Sequence, residues 1–315
     1  KNLTVSGITA SNQPSDRTTT ATINTGSASL VGVVAGDTVT LGTGSATGSF
    51  ASKDVGAGKA VTVAGLTLGG ADAANYSLTQ PTTTASITAK GLTVSGVTAS
   101  GKTYDGGTAA ALGGSATLNG VIAGDTVLVD TSAATGTFSS KHVGTGINVT
   151  VGGITISGPD AANYTLAQPT TTANITAKNL TIGGASGNNR VYDGTTTATV
   201  DFSGASLNGI VGGDSVSIDA SSATLTFADK NVGTGKAITA GGVALTGTNA
   251  SDYTVSQPTG LTANVTAKPL TITGVTANDK VYDGGTAASL SGTASLQGAV
   301  GGDAVNLGGT PSASF

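Results

Sequence analysis

Three short constellations are of a kind that could do chemistry: Lys102-Thr103-Tyr104-Asp105-Gly106, Arg190-Val191-Tyr192-Asp193-Gly194 and Lys280-Val281-Tyr282-Asp283-Gly284. An Asp carboxylate beside loop carbonyls suits a hard cation such as calcium, or another ligand. The plainer reading is a turn, in which Asp accepts backbone N–H bonds and Gly supplies a positive φ, and the sequence favours it. Asp37, Asp125, Asp214 and Asp303 each follow a Gly and read the same way. His142 is the only His, and its counterparts elsewhere in the chain are Asp54 and Asn231, which favours a surface position over catalysis or metal binding.

Other chemistry is scarce. There is no Cys, which removes disulfides, thiolate metal sites and thiol catalysis together. Every polar constellation recurs, and no nucleophile with a base, and no acid pair, stands out, so an enzyme and a cofactor are not expected. Asn-x-Ser/Thr occurs at Asn2, Asn75, Asn148, Asn163, Asn174, Asn179, Asn249 and Asn264. The plainer reading is Asn beside Thr in Thr-rich strands; N-glycosylation, with Asn148, Asn174 and Asn264 as acceptors, is the minority reading. Lys-Asp and Lys-Asn pairs raise intramolecular isopeptide crosslinks, but that chemistry usually uses a buried Glu, and all the acids here are Asp.

The elements that carry these residues repeat. The words Asn-Tyr (Asp-Tyr in the third), Gln-Pro-Thr and Thr-Ala-Lys recur through Asn75 to Thr93, Ala162 to Thr181 and, with one extra residue, Asp252 to Thr271, and Lys1, Lys90, Lys178 and Lys268 open successive units. The spacings are therefore 89, 88 and 90 residues. A solenoid rung takes about 20 to 45 residues, whereas a seven-strand sandwich takes about 100. The expected architecture is all-β, a tandem array of Ig-like antiparallel β-sandwich modules of 88 to 90 residues, with β-grasp-like modules or a β-solenoid as alternatives. The units are 1–89, 90–177, 178–267 and 268–315, the last being the first half of a module.

Within the second unit, strands are expected near 92–98, 108–112, 116–121, 126–129, 134–138, 148–151, 154–156, 164–166 and 173–177. The expected core is Leu92, Val94, Leu118, Val127, Phe138, Val149, Ile154, Tyr164, Leu166 and Ile175. Tyr76, Tyr164 and Tyr253 each follow a tight corner, where the hydroxyl can bond back to the loop. At each junction only Lys and one residue separate two strands whose apolar residues have opposite parity, so the core should change sides there and successive modules should be rotated about a stiff axis.

The Tyr-Asp-Gly words, the Phe138-x-x-Lys141-x-Val143-Gly144 run and the Ala-Asn-Tyr stretch together resemble the YDG-type repeat domains of filamentous-haemagglutinin-like bacterial adhesins. The resemblance covers the whole chain and implies a surface or secreted repeat protein. The first unit departs from it: Ser15 stands for the Tyr and Arg17 for the Gly. Losing a buried aromatic there would cost about 3 kcal/mol, so that corner should be rebuilt or meet a neighbour. The expected function is a non-catalytic stalk or fibre segment of a large extracellular adhesin or matrix protein, with glycan or polysaccharide binding through exposed Thr and Tyr as the alternative.

Expected partners are neighbouring repeats in cis, identical chains in a fibre or matrix, and glycans. The net charge of −4 is mild and no basic stripe is visible, which argues against nucleic acid. No apolar run reaches the roughly 20 residues of a membrane helix. Because the fourth unit stops at Phe315, the counterpart of Phe50, Phe138 and Phe227, the residues read as a window on a longer polypeptide.

Overall fold

Thr, Val and Ile alternate with small residues through most of the chain, a pattern that fits pleated strands with one buried face. The computed structural model describes all residues from Lys1 to Phe315. It is all-β and built of tandem repeats, with helical structure only in the three-residue 3-10 turns Ala73–Asn75, Ala161–Asn163 and Ala250–Asp252. No helix is long and apolar enough to cross a membrane.

The second repeat shows the pattern. Its first strand, Lys90–Ala99, lies between Leu112–Asn119 and Tyr164–Leu166 in a three-stranded sheet. A five-stranded sheet follows the order Lys102–Thr103, Thr170–Thr176, Gly144–Gly152, Thr135–Phe138, Ala109–Ala110. Leu128–Asp130 and Thr155–Ser157 form a separate pair. Most pairings are antiparallel, Val94 facing Leu118 and Phe138 facing Val149. The exceptions lie where a repeat closes on itself: the first strand runs parallel to Tyr164–Leu166, with Leu92 opposite Leu166.

Each complete repeat has its own small core. Phe50, Val61, Ala85 and Ile87 fill the first, Val94, Val151 and Ile154 belong to the second, and Phe227, Ile238, Ala263 and Val265 fill the third. Leu92, Phe138, Val149, Tyr164 and Ile175 are buried as expected. Leu118, Val127 and Leu166 are only half-buried; Leu118 and Leu166 pack against the small Val94, Val151 and Ile154 cluster without being enclosed by it. Tyr104, absent from the expected core, is 1% exposed.

Side-chain amides close the irregular places. Gln80, Gln168 and Gln257 each hold both backbone groups of one residue, Leu66, Ile154 and Val243 in turn; Gln168 accepts from the Ile154 N–H at 3.1 Å and donates to its carbonyl at 2.8 Å. Where the register shifts between Gly144 and Ile147, Gly146 adopts a positive φ of 62° and donates its N–H to Asn174 Oδ1 at 2.8 Å. Asn264 does the same for Gly235 in the third repeat, and Ser86 Oγ for Gly58 in the first. Such bulges need a glycine backbone and a fixed acceptor.

The chain divides into two compact units, Lys1–Lys102 with Gly107–Ile175, and Thr103–Gly106 with Thr176–Phe315. In the first unit, strand Thr82–Thr88 ends one repeat and Lys90–Ala99 begins the next, with Ala89 alone between them. Ala85 and Ile87 are buried before that residue, Leu92 and Val94 after it, so the buried face changes parity across Ala89. In the second unit the fourth repeat consists of three two-stranded pairs, and no residue beyond Val265 is buried.

A core-forming Phe and its fourth-repeat counterpart should therefore behave differently. Phe138→Ala should lower stability by about 3 to 5 kcal/mol in guanidinium unfolding followed by circular dichroism. Phe315→Ala, at a side chain 70% exposed, should change it by less than about 0.5 kcal/mol.

The Tyr-Asp-Gly corners and the aspartates they meet

Each Tyr-Asp-Gly word forms a tight corner just after a two-residue strand, Lys102–Thr103 or Arg190–Val191, and in the fourth repeat after Lys280-Val281. Asp193 Oδ1 accepts from the Thr195 N–H and hydroxyl, both at 2.9 Å, while Oδ2 faces Arg190 at 2.9 Å. Asp283 Oδ1 accepts the Gly285 N–H at 2.9 Å and faces Lys280 at 2.6 Å. Hydrogen bonding, first from the Thr195 N–H and then from its hydroxyl, holds Asp193 below the usual carboxylate range; the Lys280 contact does the same for Asp283. Asp105 occupies the matching position and is exposed. These carboxylates brace their own turns, so their lone pairs point at N–H donors and cations of the protein.

The basic residue opening each word is part of the same brace. Lys102 Nζ donates to the Gly107 carbonyl at 2.8 Å and lies 5.6 Å from the Phe138 ring centre. Arg190 bonds the Thr195 hydroxyl and carbonyl while its guanidinium lies 5.1 Å from the Phe227 ring. A cation over an aromatic face adds about 0.5 to 1 kcal/mol.

The tyrosines do something else. The Tyr104 N–H donates to the Thr176 carbonyl at 2.8 Å, which fixes the corner, and the ring then packs edge-on against Tyr253 with centroids 5.4 Å apart. Its hydroxyl donates to Asp214 Oδ2 at 2.9 Å. Tyr253, the corner tyrosine of the third repeat, donates to the same oxygen at 2.6 Å while its own hydroxyl accepts the Val211 N–H at 2.9 Å. One aspartate thus ties a loop to its own repeat and receives the Tyr-Asp-Gly corner of the repeat before. Tyr192 repeats the contact with Asp303 Oδ1 at 3.1 Å, joined by Lys230 at 3.7 Å.

The glycine of the word belongs to this joint as well. Gly106 and Gly194 have φ of 80° and 79°, and a Cβ on them would stand 2.8 Å from Val211 Cγ1 and 2.7 Å from Val300 Cγ1. Val211 and Val300 lie three residues before the receiving Asp214 and Asp303. Close approach and left-handed backbone together explain why glycine stands there.

The first repeat rebuilds the corner and still meets a neighbour. Ser15 is buried and donates its N–H to the Thr88 carbonyl at 2.8 Å, as Tyr104 does to Thr176. Arg17 takes the glycine's place with φ of 72°, the one non-glycine residue in that region. Its guanidinium donates to the Ala123 carbonyl at 2.8 Å, and Nε lies 2.9 Å from Asp125 Oδ1, a charge contact without hydrogen-bond alignment. Tyr164 donates to the other oxygen of Asp125 at 2.6 Å. Arg17 therefore stands in for the missing tyrosine on the equivalent acceptor, and Asn163 Oδ1 accepts the Val55 N–H at 3.0 Å across the same junction.

Tyr76 completes the corner set by donating to Asp37 and accepting the Val34 N–H at 3.1 Å. Asn148 and Asn174 are exposed and Asn264 half-exposed, the last two engaged at the bulges through Oδ1. Asn179 and Asn2 bond neighbouring strands, and His142 is exposed. Sequence reasoning treated Asp37, Asp125, Asp214 and Asp303 as turn residues and missed that they are the acceptors. A signal was present: each of the first three precedes its corner tyrosine by 39 residues, and Asp214 and Asp303 follow a Tyr-Asp-Gly tyrosine by 110 and 111.

Burial, then the bond to Asp214, pushes the ionisation of Tyr104 and Tyr253 up, and burial, then the bond to Asp125, does the same for Tyr164. Tyr192 is raised mainly by its bond to Asp303. A folded pKa above the unfolded value means the stabilisation is complete below about pH 10 and is lost as pH rises through the folded values. Thermal stability should accordingly hold between about pH 7 and 9 and fall above about pH 10. Gly106→Ala should destabilise by about 1 to 3 kcal/mol through strain and overlap with Val211. Gly284→Ala has open space around the new methyl and should cost only the strain of its φ of 77°, as differential scanning calorimetry would show.

Comparison with known proteins adds the family. The crystal structure of Drosophila N-cadherin EC1-4 is similar at 7% identity, over 85% of this chain and 75% of that one, with a TM-score of 0.26. No curated protein matches. The YDG domain family matches at residues 1–85, 88–173, 176–260 and 266–315, which are nearly the whole chain and contain every corner just described. The chain belongs to the YDG domain family, whose name spells the corner through which one repeat meets the next.

Proposed function

We propose that the chain is a non-catalytic structural segment, a stalk or fibre of a large bacterial extracellular adhesin or matrix protein. What supports this reading is above all the placement of Tyr104, buried to 1% exposure and hydrogen-bonded to Asp214 of the following repeat. Tyr104 and Tyr192 of the signature hold one repeat to the next, through Asp214 and Asp303. Asp193 and Asp283 bond within their own turns, and Tyr164 and Tyr253 donate to the loop aspartates. Short junctions, such as the single Ala89 between two strands, favour transmission of tension from one β-unit to the next over free hinging. The bacterial surface setting is inferred from the resemblance to adhesin repeats carried by the Tyr-Asp-Gly and Ala-Asn-Tyr words.

Single-molecule stretching tests this directly. The first three repeats should unfold in separate events, each releasing on the order of 30 nm of chain. Extension without resolved force peaks would contradict a mechanical role, and saturable, specific binding on a glycan array would favour the glycan-binding alternative.

A further inference from the structure

We propose that Tyr104 and Tyr253 form an oxidative crosslinking site, two phenols set to join ring to ring so that the second repeat is tied covalently to the third. The inference rests on the joint geometry and not on an extracellular setting. The chain holds no Cys, no Met and no Trp, so an oxidant finds none of the side chains that react first, and its six tyrosines become the readiest donors of an electron. Two of them are in ring contact: Tyr104 and Tyr253 pack edge-on with centroids 5.4 Å apart. Both hydroxyls converge on Asp214 Oδ2, at 2.9 Å and 2.6 Å. That convergence gathers the ring carbons beside each hydroxyl, where a phenoxyl radical carries much of its spin. Tyr104 and Tyr253 are 1% and 6% exposed, so a tyrosine of another chain is kept away while the neighbour inside the joint stays in contact.

The reaction needs two equivalents of a one-electron oxidant, of the kind peroxide generates at a haem. Each equivalent takes one electron from one ring, by transfer through the covering side chains rather than by contact, and is itself reduced by one electron. The phenolic proton of each ring passes to Asp214, which is half-buried and hands it on to water. A carboxylate that already accepts both O–H groups draws each proton away as the electron leaves. The two radicals then couple through carbons ortho to oxygen, one C–C bond forms, and each ortho hydrogen moves to its own oxygen to restore the phenol. The sum is a loss of two protons and two electrons. Tyr164 supplies the comparison within the chain: it donates to Asp125 as Tyr253 does to Asp214, but Arg17 is the second group on that aspartate and Ser15 holds the place of Tyr104.

Brief photo-oxidation of the full chain at high dilution, with ruthenium tris-bipyridyl and persulfate, tests this. The monomer should gain dityrosine fluorescence, lose the mass of two hydrogens and release, after trypsin, a linked species carrying Tyr104 and Tyr253. Its yield should exceed that of any other tyrosine pair by about tenfold or more, the expectation for groups held together against groups that must meet. Tyr104→Phe keeps the ring and removes the hydroxyl, so it should abolish the linked species while circular dichroism confirms the fold. Asp214→Asn should slow its formation, because the charge that draws off the protons is gone. Guanidinium should reduce its yield to that of the other pairs. Under force, the segment between the two tyrosines of a linked chain should be withheld from extension. Crosslinks spread over the tyrosines without preference for this pair would overturn the proposal. So would chains in which other tyrosines have been oxidised while Tyr104 and Tyr253 remain unlinked.

Discussion

An aspartate that accepts two side chains at once is what the array depends on. Asp214 holds Tyr253 of its own repeat and Tyr104 of the one before, and Asp125 holds Tyr164 and Arg17 in the same relation. A carboxylate is suited to this because each oxygen offers two lone pairs and the charge strengthens every bond it accepts. The first partner fixes the loop against its own sheet, so the second finds its acceptor already in place. Burial of the Tyr104 ring against Tyr253 adds an apolar contact to the polar one, of a size that removing the aromatic would reveal as several kcal/mol. The joint is thus an extension of the corner that each repeat needs for its own fold.

The Arg17 junction shows that the acceptor matters more than the donor's identity. There the corner retains its backbone form, with Ser15 bonded as Tyr104 is and Arg17 at a left-handed φ that glycine takes in the other repeats. Strain of this kind costs on the order of 1 to 3 kcal/mol and persists where the surroundings compensate. Here the compensation is the guanidinium reaching Asp125 and the Ala123 carbonyl, in space that a side chain on Gly124 would fill. An aromatic contact has been exchanged for a charged one on the same aspartate.

Much of this fold was legible in the residues. The repeat spacing, the strand runs from Lys90 to Thr176 and the buried Leu92, Phe138, Val149 and Ile175 follow from a two-residue alternation that local chemistry imposes. The corner tyrosines were legible too, because Tyr164 and its loop are brought together within one repeat. Tyr104 was not, since its burial depends on Asp214, 110 residues away, and no local pattern distinguishes a turn tyrosine left in solvent from one covered by a neighbour. The half-buried Leu118 and Leu166 show the converse, apolar residues at the right parity that pack against a cluster too small to enclose them. Asn174 and Asn264 read as strand residues beside Thr, and the bulges they pin became visible only with the register.

The most direct test of the account is a double-mutant cycle on Tyr104→Phe and Asp214→Asn in the full chain, with unfolding followed by tyrosine circular dichroism. If one aspartate couples the repeats, the two changes should be non-additive by about 1 to 2 kcal/mol, since Tyr104→Phe removes the donor and Asp214→Asn removes the charge that strengthens the bond it accepts. Additivity within about 0.3 kcal/mol would mean that the hydroxyl and carboxylate act independently, and would contradict the shared-aspartate joint.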